Sequence, residues 1–154
     1  MTIVKFYRGD SNAPKTTMRA RLGANAVITW NEKILLEKRR DCDLWGLVGG
    51  GVKKGEHQDQ AMVREIYEEL GLKVKREALK KLAVYGEPGR IAAYRDGSIW
   101  RMVIVVYGLQ LEEEPQLQIS EESRQLRFFS KEELKEIEIV ATHEDIVADW
   151  FTNR

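Results

Sequence analysis

Short apolar runs alternate with polar, glycine-rich breaks along the chain, and the lengths of those runs predict its elements. Ala24–Thr29 reads as a buried strand, and Lys33–Lys38 as a second apolar strand after the Trp30-Asn31-Glu32 turn. LWGLVGGGV, from Leu44 to Val52, reads as an apolar strand running into three consecutive glycines. The strongest helical pattern follows, from His57 to Leu70, with Gly71 where a helix C-terminus favours glycine. Leu79–Tyr85 and Ile91–Arg95 are predicted strands, and Asp96-Gly97 is a strong two-residue hairpin signal. Ser98–Leu111 is a long strand whose Met102–Tyr107 portion is apolar enough to be central and covered on both faces. Gln125–Phe129 is a further strand. Ser130 with Glu133 forms a capping box that opens a helix, and Thr142 with Asp145 opens a C-terminal helix through Trp150. Gly9–Thr17 is turn-rich, so residues 1–17 read as a short strand and a linker to the main body. Strands of mixed length with three helices predict an α/β sandwich around a mixed β-sheet, formed by residues 1–154 as one domain.

The helix after the glycines changes this picture from fold to chemistry. At 100° per residue, Glu65, Glu68 and Glu69 fall within an arc of roughly 100°. Val63, Ile66, Tyr67 and Leu70 gather opposite, on the side expected to face the core. Like charges so placed repel by a few tenths of a kcal/mol per pair, and a hard divalent cation would reverse that penalty. The arc is therefore either a solvated acidic face or a site for Mg²⁺ or Mn²⁺. Gly49-Gly50-Gly51 and Gly55 let the backbone approach a ligand closely, and Arg64 can hold carboxylates by bidentate hydrogen bonds.

Composition narrows the alternatives. The 154 residues carry 25 basic and 25 acidic side chains, so no long-range field draws the chain to nucleic acid or an anionic membrane. Phosphate binding, if present, must be local. Cys42 stands alone, which forbids an intrachain disulfide and fits a reduced, cytoplasmic setting. No apolar run approaches transmembrane length, and MTIVKFYRGD lacks the apolar centre of a signal peptide.

The residues around the helix resemble the Nudix family. Its box reads Gly, five residues, Glu, seven residues, Arg-Glu, aliphatic, any, Glu-Glu, any, Gly, aliphatic. Gly50, Glu56, Arg64-Glu65-Ile66, Glu68-Glu69 and Gly71-Leu72 meet every spacing. Seven positions demand one residue type, so a chance match is about 10⁻⁹ per window at average usage. Gly23, ILLEKRR and LRFFSKEEL are similar to family segments before and after the box, while Val48 stands where the family often has proline.

The resemblance implies the Nudix fold and hydrolysis of a nucleoside diphosphate linked to another group, by water with Mg²⁺ or Mn²⁺. Glu68 and Glu69 would be the principal metal ligands, with Glu65 a further ligand or the holder of the attacking water. The carbonyl of Gly49 or Gly50 would join them, and Arg64 and Glu56 would hold the glutamates in place. Glu65, Glu121 and Glu122 are alternatives for the general base, the latter two being equally readable as a solvated loop. His143, near a helix start, is expected at the surface.

Arg39 is expected near the substrate phosphates and Gly50 and Gly51 against the substrate. Arg40, Arg90 and Arg95 read as solvated charges. Trp45 reads as core or, alternatively, as a stacking platform for a base. Pro88, sixteen residues beyond Leu72, is similar to a spacing in ADP-ribose-cleaving members, although its GEPG loop needs a proline for turn reasons. The compact size favours a nucleoside triphosphate or modified dNTP, with ADP-ribose or a nucleotide sugar as the alternative. A non-catalytic nucleotide sensor would be expected to lose box glutamates, and here all are present. Trp100, Tyr107 and Trp150-Phe151 read equally as core or dimer contact, leaving monomer and homodimer both open.

Overall fold

A computed structural model of the protein describes residues 4–153. In chain order its strands are β1 (Lys5–Arg8), β2 (Arg21–Trp30), β3 (Lys33–Arg39), β4 (Trp45–Gly46), β5 (Val48–Gly51), β6 (Lys80–Tyr85), β7 (Arg90–Ala93), β8 (Ile99–Leu111) and β9 (Ser123–Phe129). Two α-helices, α1 (Gln58–Leu70) and α2 (Ala141–Thr152), accompany them. No helix among the described residues is long and apolar enough to cross a membrane.

The backbone of the sheet runs β1-β7-β8-β2-β3-β4, with β5 paired to β2, β6 to β8 and β9 to β3. Only β2 and β8 run parallel among these pairings, in register from Arg21 against Met102 to Trp30 against Leu111. The sheet is therefore mixed. Its central strands are covered on both faces, which is why they read as unbroken apolar runs. Ala24, Ala26, Ile28, Leu35, Val48, Val105 and Tyr107 point to α1, where they meet Ala61, Met62, Ile66 and Leu70. Val27, Ile34, Leu36, Leu47, Ile104 and Val106 point to α2, where they meet Ile146 and Val147. Alternate residues of each strand thus feed two cores, and the α/β/α sandwich follows from that division.

Several sequence expectations shift. The run into the glycines is broken into two short strands, and the glycines themselves form β5 against Gly23–Ala26 of β2. The capping box at Ser130 exists, with reciprocal backbone hydrogen bonds between Ser130 and Glu133. It opens only a 3₁₀ turn, Glu133–Glu136, because the chain must then extend to reach α2. Tyr67 is 51% exposed rather than in the core, and Met62 takes the core position at the i−4 spacing from Ile66. Rotating the buried stripe this way draws Glu69 to its edge, where it is 4% exposed.

Candidate active site

The glycine strand β5 lies beside α1, and their approach depends on missing side chains. At Gly49, with φ of +148°, a Cβ would stand 2.1 Å from the Ala24 carbonyl oxygen. At Gly50 it would stand 2.6 Å from Oε1 of Glu65. A side chain at Gly49 would strike the neighbouring strand, and one at Gly50 would fill the space in front of the α1 carboxylates.

Helix α1 begins where the backbone N–H of His57 donates to Gln60 Oε1 and ends at Gly71, whose φ of +68° is the left-handed conformation of a helix C-terminus. Between them, Arg64 spends all its donors on the site. Its Nε and Nη2 donate to Glu56 at 2.8 and 3.0 Å, and Nη2 also reaches the Gly51 carbonyl at 3.0 Å. Its Nη1 donates to Glu65 at 2.9 Å and Glu68 at 3.1 Å. Glu56 also accepts from the Lys53 backbone N–H, so the Gly51–Glu56 turn is closed at both ends. The Arg64 hydrogen bonds, with help from that backbone N–H, hold the Glu56 carboxyl down at about 2.

The three glutamates differ. Glu68 is exposed and follows Arg64. Glu65 is partly buried, and burial pushes its carboxyl above the ordinary range despite Arg64. Glu69 accepts one hydrogen bond, from the Gly49 N–H at 2.9 Å. Burial, then the charges of Glu37 and Glu65, push it well above the ordinary carboxylate range.

Glu37 on β3 was not singled out in the sequence. It is 4% exposed and accepts a hydrogen bond from Ser123 Oγ at 2.9 Å. Burial raises its carboxyl to about 7, with Glu122 and Glu65 adding to the effect and Ser123 and Arg39 opposing it. The available signal was one charge inside the apolar run Ile34-Leu35-Leu36-Glu37.

A cleft of about 730 Å³ is lined by two chemically distinct sets of residues. Glu37, Glu65, Glu68, Glu69, Glu121 and Glu122 supply acid. Arg21, Arg39, Phe6, Tyr94 and Met102 supply cations and apolar surface, and Gly49–Gly51 contributes bare backbone. Arg21 donates to the Tyr94 hydroxyl at 3.1 Å and lies over the Tyr94 and Trp100 rings at 5.4 and 6.0 Å. Its guanidinium comes within 3.2 Å of the Cβ that Gly51 lacks.

Arg39 lines the cleft as expected, but Asp41 holds it bidentately at 2.6 and 2.9 Å, and Phe6 covers it at 5.1 Å. Arg40 is also at the cleft. Trp45 is not: it is 7% exposed and packs edge-on against Phe129 at 4.8 Å, so the core alternative is correct and the substrate-stacking assignment falls. His143 is buried, at 5% exposure, and not a surface group. Its Nδ1 accepts from the Leu47 backbone N–H at 3.0 Å, and burial lowers its pKa to about 3. Arg90 is fully buried rather than solvated, ion-paired to Asp145 at 2.5 Å and Glu87 at 2.5 Å. Pro88 sits in an exposed turn outside the cleft lining.

As the side chains stand, no three His, Cys, Asp or Glu groups among the described residues converge tightly enough to hold a metal ion. Arg64 draws Glu65 and Glu68, and Gly49 draws Glu69. The donor set nevertheless fits a hard divalent cation. Its groups are carboxylate oxygens with backbone carbonyls nearby, and Glu37 and Glu69 are buried with no ion pair within 4 Å among the described residues.

Comparison with known proteins agrees with this geometry. The NUDIX domain profile matches residues 19–150. The chain is 32% identical over 132 residues to an ADP-ribose pyrophosphatase of Methanocaldococcus jannaschii, covering 84% of this chain and 72% of that one. Over 61 residues it is 36% identical to the nucleoside triphosphatase NudI of Enterobacter sp. (strain 638), 40% of this chain and 43% of that one. Other curated matches are local as well, spanning 40% and 24% of the relatives' lengths. A bifunctional NMN adenylyltransferase/ADP ribose pyrophosphatase from Francisella tularensis shares the fold, with a TM-score of 0.72 at 21% identity. That match covers 91% of this chain and 42% of the Francisella chain. With the profile spanning most of its length, and Gly50, Glu65, Glu68 and Glu69 of the box lining one cleft, the chain belongs to the NUDIX domain family.

Proposed function

We propose that this protein is a metal-dependent pyrophosphohydrolase acting on a nucleoside diphosphate linked to a second group. The observation that carries the reading is the Arg64 hub. One guanidinium orients Glu56, Glu65 and Glu68 while binding the backbone of the glycine strand, so the helix and the strand form one rigid cradle. Glu65, Glu68 and Glu69, with the carbonyl of Gly49 or Gly50, would hold Mg²⁺ or Mn²⁺. Bound there, the ion supplies charge neutralisation at the phosphoryl oxygens and lowers the pKa of a water.

The chain's own residues do the rest. The glycine strand lines the cleft with bare backbone, against which a diphosphate would lie. Arg21 makes no ion pair within 4 Å among the described residues, so its remaining donors are free for a phosphate, whereas Arg39 is engaged by Asp41. Glu65, Glu121 and Glu122, which share the cleft lining, are the candidate carboxylates to take a proton from the attacking water.

Within this substrate class the weight moves to ADP-ribose or a nucleotide sugar, because the relative matched along 84% of the chain is an ADP-ribose pyrophosphatase. A nucleoside triphosphate is the second reading, supported by the shorter NudI match. The test is phosphate or nucleotide release from ADP-ribose, nucleotide sugars, dinucleoside polyphosphates and oxidised dNTPs with Mg²⁺ or Mn²⁺. Glu69→Gln is expected to lower turnover by about 10²-fold or more, the equivalent of several kcal/mol of charge stabilisation. Full activity in that variant would sink the ligand assignment. Absence of turnover on every substrate with either metal would favour a nucleotide sensor.

A further inference from the structure

We infer that Glu37, outside the glycine–glutamate motif, is a fourth carboxylate of the cation site; the inference rests on the metal-dependent reading above. Glu37 comes from β3, two residues beyond Leu35 and so on the strand face that packs against α1, and it lines the same cleft as Glu65, Glu69 and Glu122. Carboxyl groups from three parts of the chain therefore line one cleft: β3, α1 and the loop before β9.

Glu37 and Glu69 are each 4% exposed, and each has one hydrogen bond from a neutral donor, Ser123 Oγ and the Gly49 N–H respectively. The arginines beside these carboxylates pair with other groups. Arg64 serves Glu56, Glu65 and Glu68, and Arg39 is clamped by Asp41. A buried carboxylate without a counter-ion costs several kcal/mol. Glu37 follows the fully buried Ile34, Leu35 and Leu36, and a leucine or glutamine at its position would avoid that cost. The residue makes physical sense if a cation completes it. A divalent ion compensates two carboxylates, so the pair Glu37 and Glu69 can take one ion while Glu65 and Glu68 remain for a second or for the substrate-bound ion. Ser123 is then a positioning residue, aiming the Glu37 carboxyl from the first position of β9.

The test is Mn²⁺ binding without nucleotide, by calorimetry and by the electron paramagnetic resonance of free Mn²⁺, on wild type, Glu37→Gln and Glu69→Gln. Thermal melts in metal-free buffer accompany it. Glu37→Gln is expected to weaken Mn²⁺ binding at least tenfold or remove one equivalent. Its metal-free melting temperature should equal or exceed that of wild type, because a burdened carboxylate has been removed. Unchanged Mn²⁺ binding in Glu37→Gln, with weakened binding in Glu69→Gln, would overturn the role of Glu37 alone. Unchanged binding in both variants would overturn the metal-site reading beneath it. A lower metal-free melting temperature in Glu37→Gln with Mn²⁺ affinity kept would assign the carboxyl to folding only and also overturn the inference. Should Glu37→Gln not fold, Mg²⁺ titration of carboxyl-¹³C-labelled wild type decides. A Glu37 resonance moving with that of Glu69 supports the inference, and a stationary Glu37 resonance beside a moving Glu69 overturns it.

Discussion

His143 offers a prediction whose size follows from its surroundings. The imidazole is buried between the Phe6 ring, 6.4 Å away, and Gly46, and its Nδ1 accepts the Leu47 N–H. Accepting that bond requires an unprotonated nitrogen. Burial, then the charges of Arg39 and Arg90, lower its pKa to about 3 from an ordinary 6.5, with Asp145 opposing. The folded state therefore refuses a proton that the unfolded chain accepts below pH 6.5, so stability falls as pH drops from about 6.5 towards 3. Integrating those two values gives a loss of about 2 kcal/mol between pH 7.5 and pH 5, as an order of magnitude.

The opposite sign attaches to Glu37 and Glu69, whose raised pKa values mean that the fold gains stability as pH falls through that range. A variant is thus needed to isolate the histidine. His143→Asn keeps an acceptor near the Leu47 N–H and removes the titration. Urea unfolding from pH 7.5 to 5 is expected to show wild type losing about 2 kcal/mol relative to the variant across the window, whatever the variant's lower starting stability. Parallel curves for the two proteins would refute the buried, neutral histidine.

Two further substitutions separate fold from site. Gly49→Ala places a Cβ 2.1 Å from a backbone carbonyl at a φ of +148°, so about 3 kcal/mol or more of stability should be lost in chemical denaturation. Gly50→Ala meets only the movable end of Glu65 at 2.6 Å; it should cost about 1 kcal/mol in stability yet depress turnover sharply, and equal stability losses in the two variants would contradict the contact geometry. Arg90→Met leaves Asp145 only its longer pair with Arg8, at 3.6 Å, and should cost about 3 kcal/mol, measured by urea unfolding at neutral pH; a loss under 1 kcal/mol would show that the Arg90–Asp145 pair is not holding α2 to β7.

What the amino-acid order determined by itself was whatever rests on neighbours within a few turns. The box spacing, the limits of α1 near His57 and Gly71, the apolar strands buried on both faces and the loop at Asp96-Gly97 all depend on local periodicity and backbone sterics. Arg64 and Glu56 were legible as partners for the same reason, Glu56 lying just before α1 and Arg64 within it, 8 residues on. Tertiary structure decided the rest. Nothing local distinguishes an outward Tyr67 from an inward Met62, because both lie within the arc that the pattern allows, and docking on β2 and β8 chose between them. His143 and Arg90 are polar letters that read as surface. They are buried because the Leu47 N–H and the Asp145 carboxylate reach them from distant segments. Glu37 and Ser123, 86 residues apart, become one feature only when β9 pairs with β3. A carboxylate's worth as a ligand depends on how much water and counter-charge surround it, and that is set by packing across the sheet, which no stretch of sequence contains.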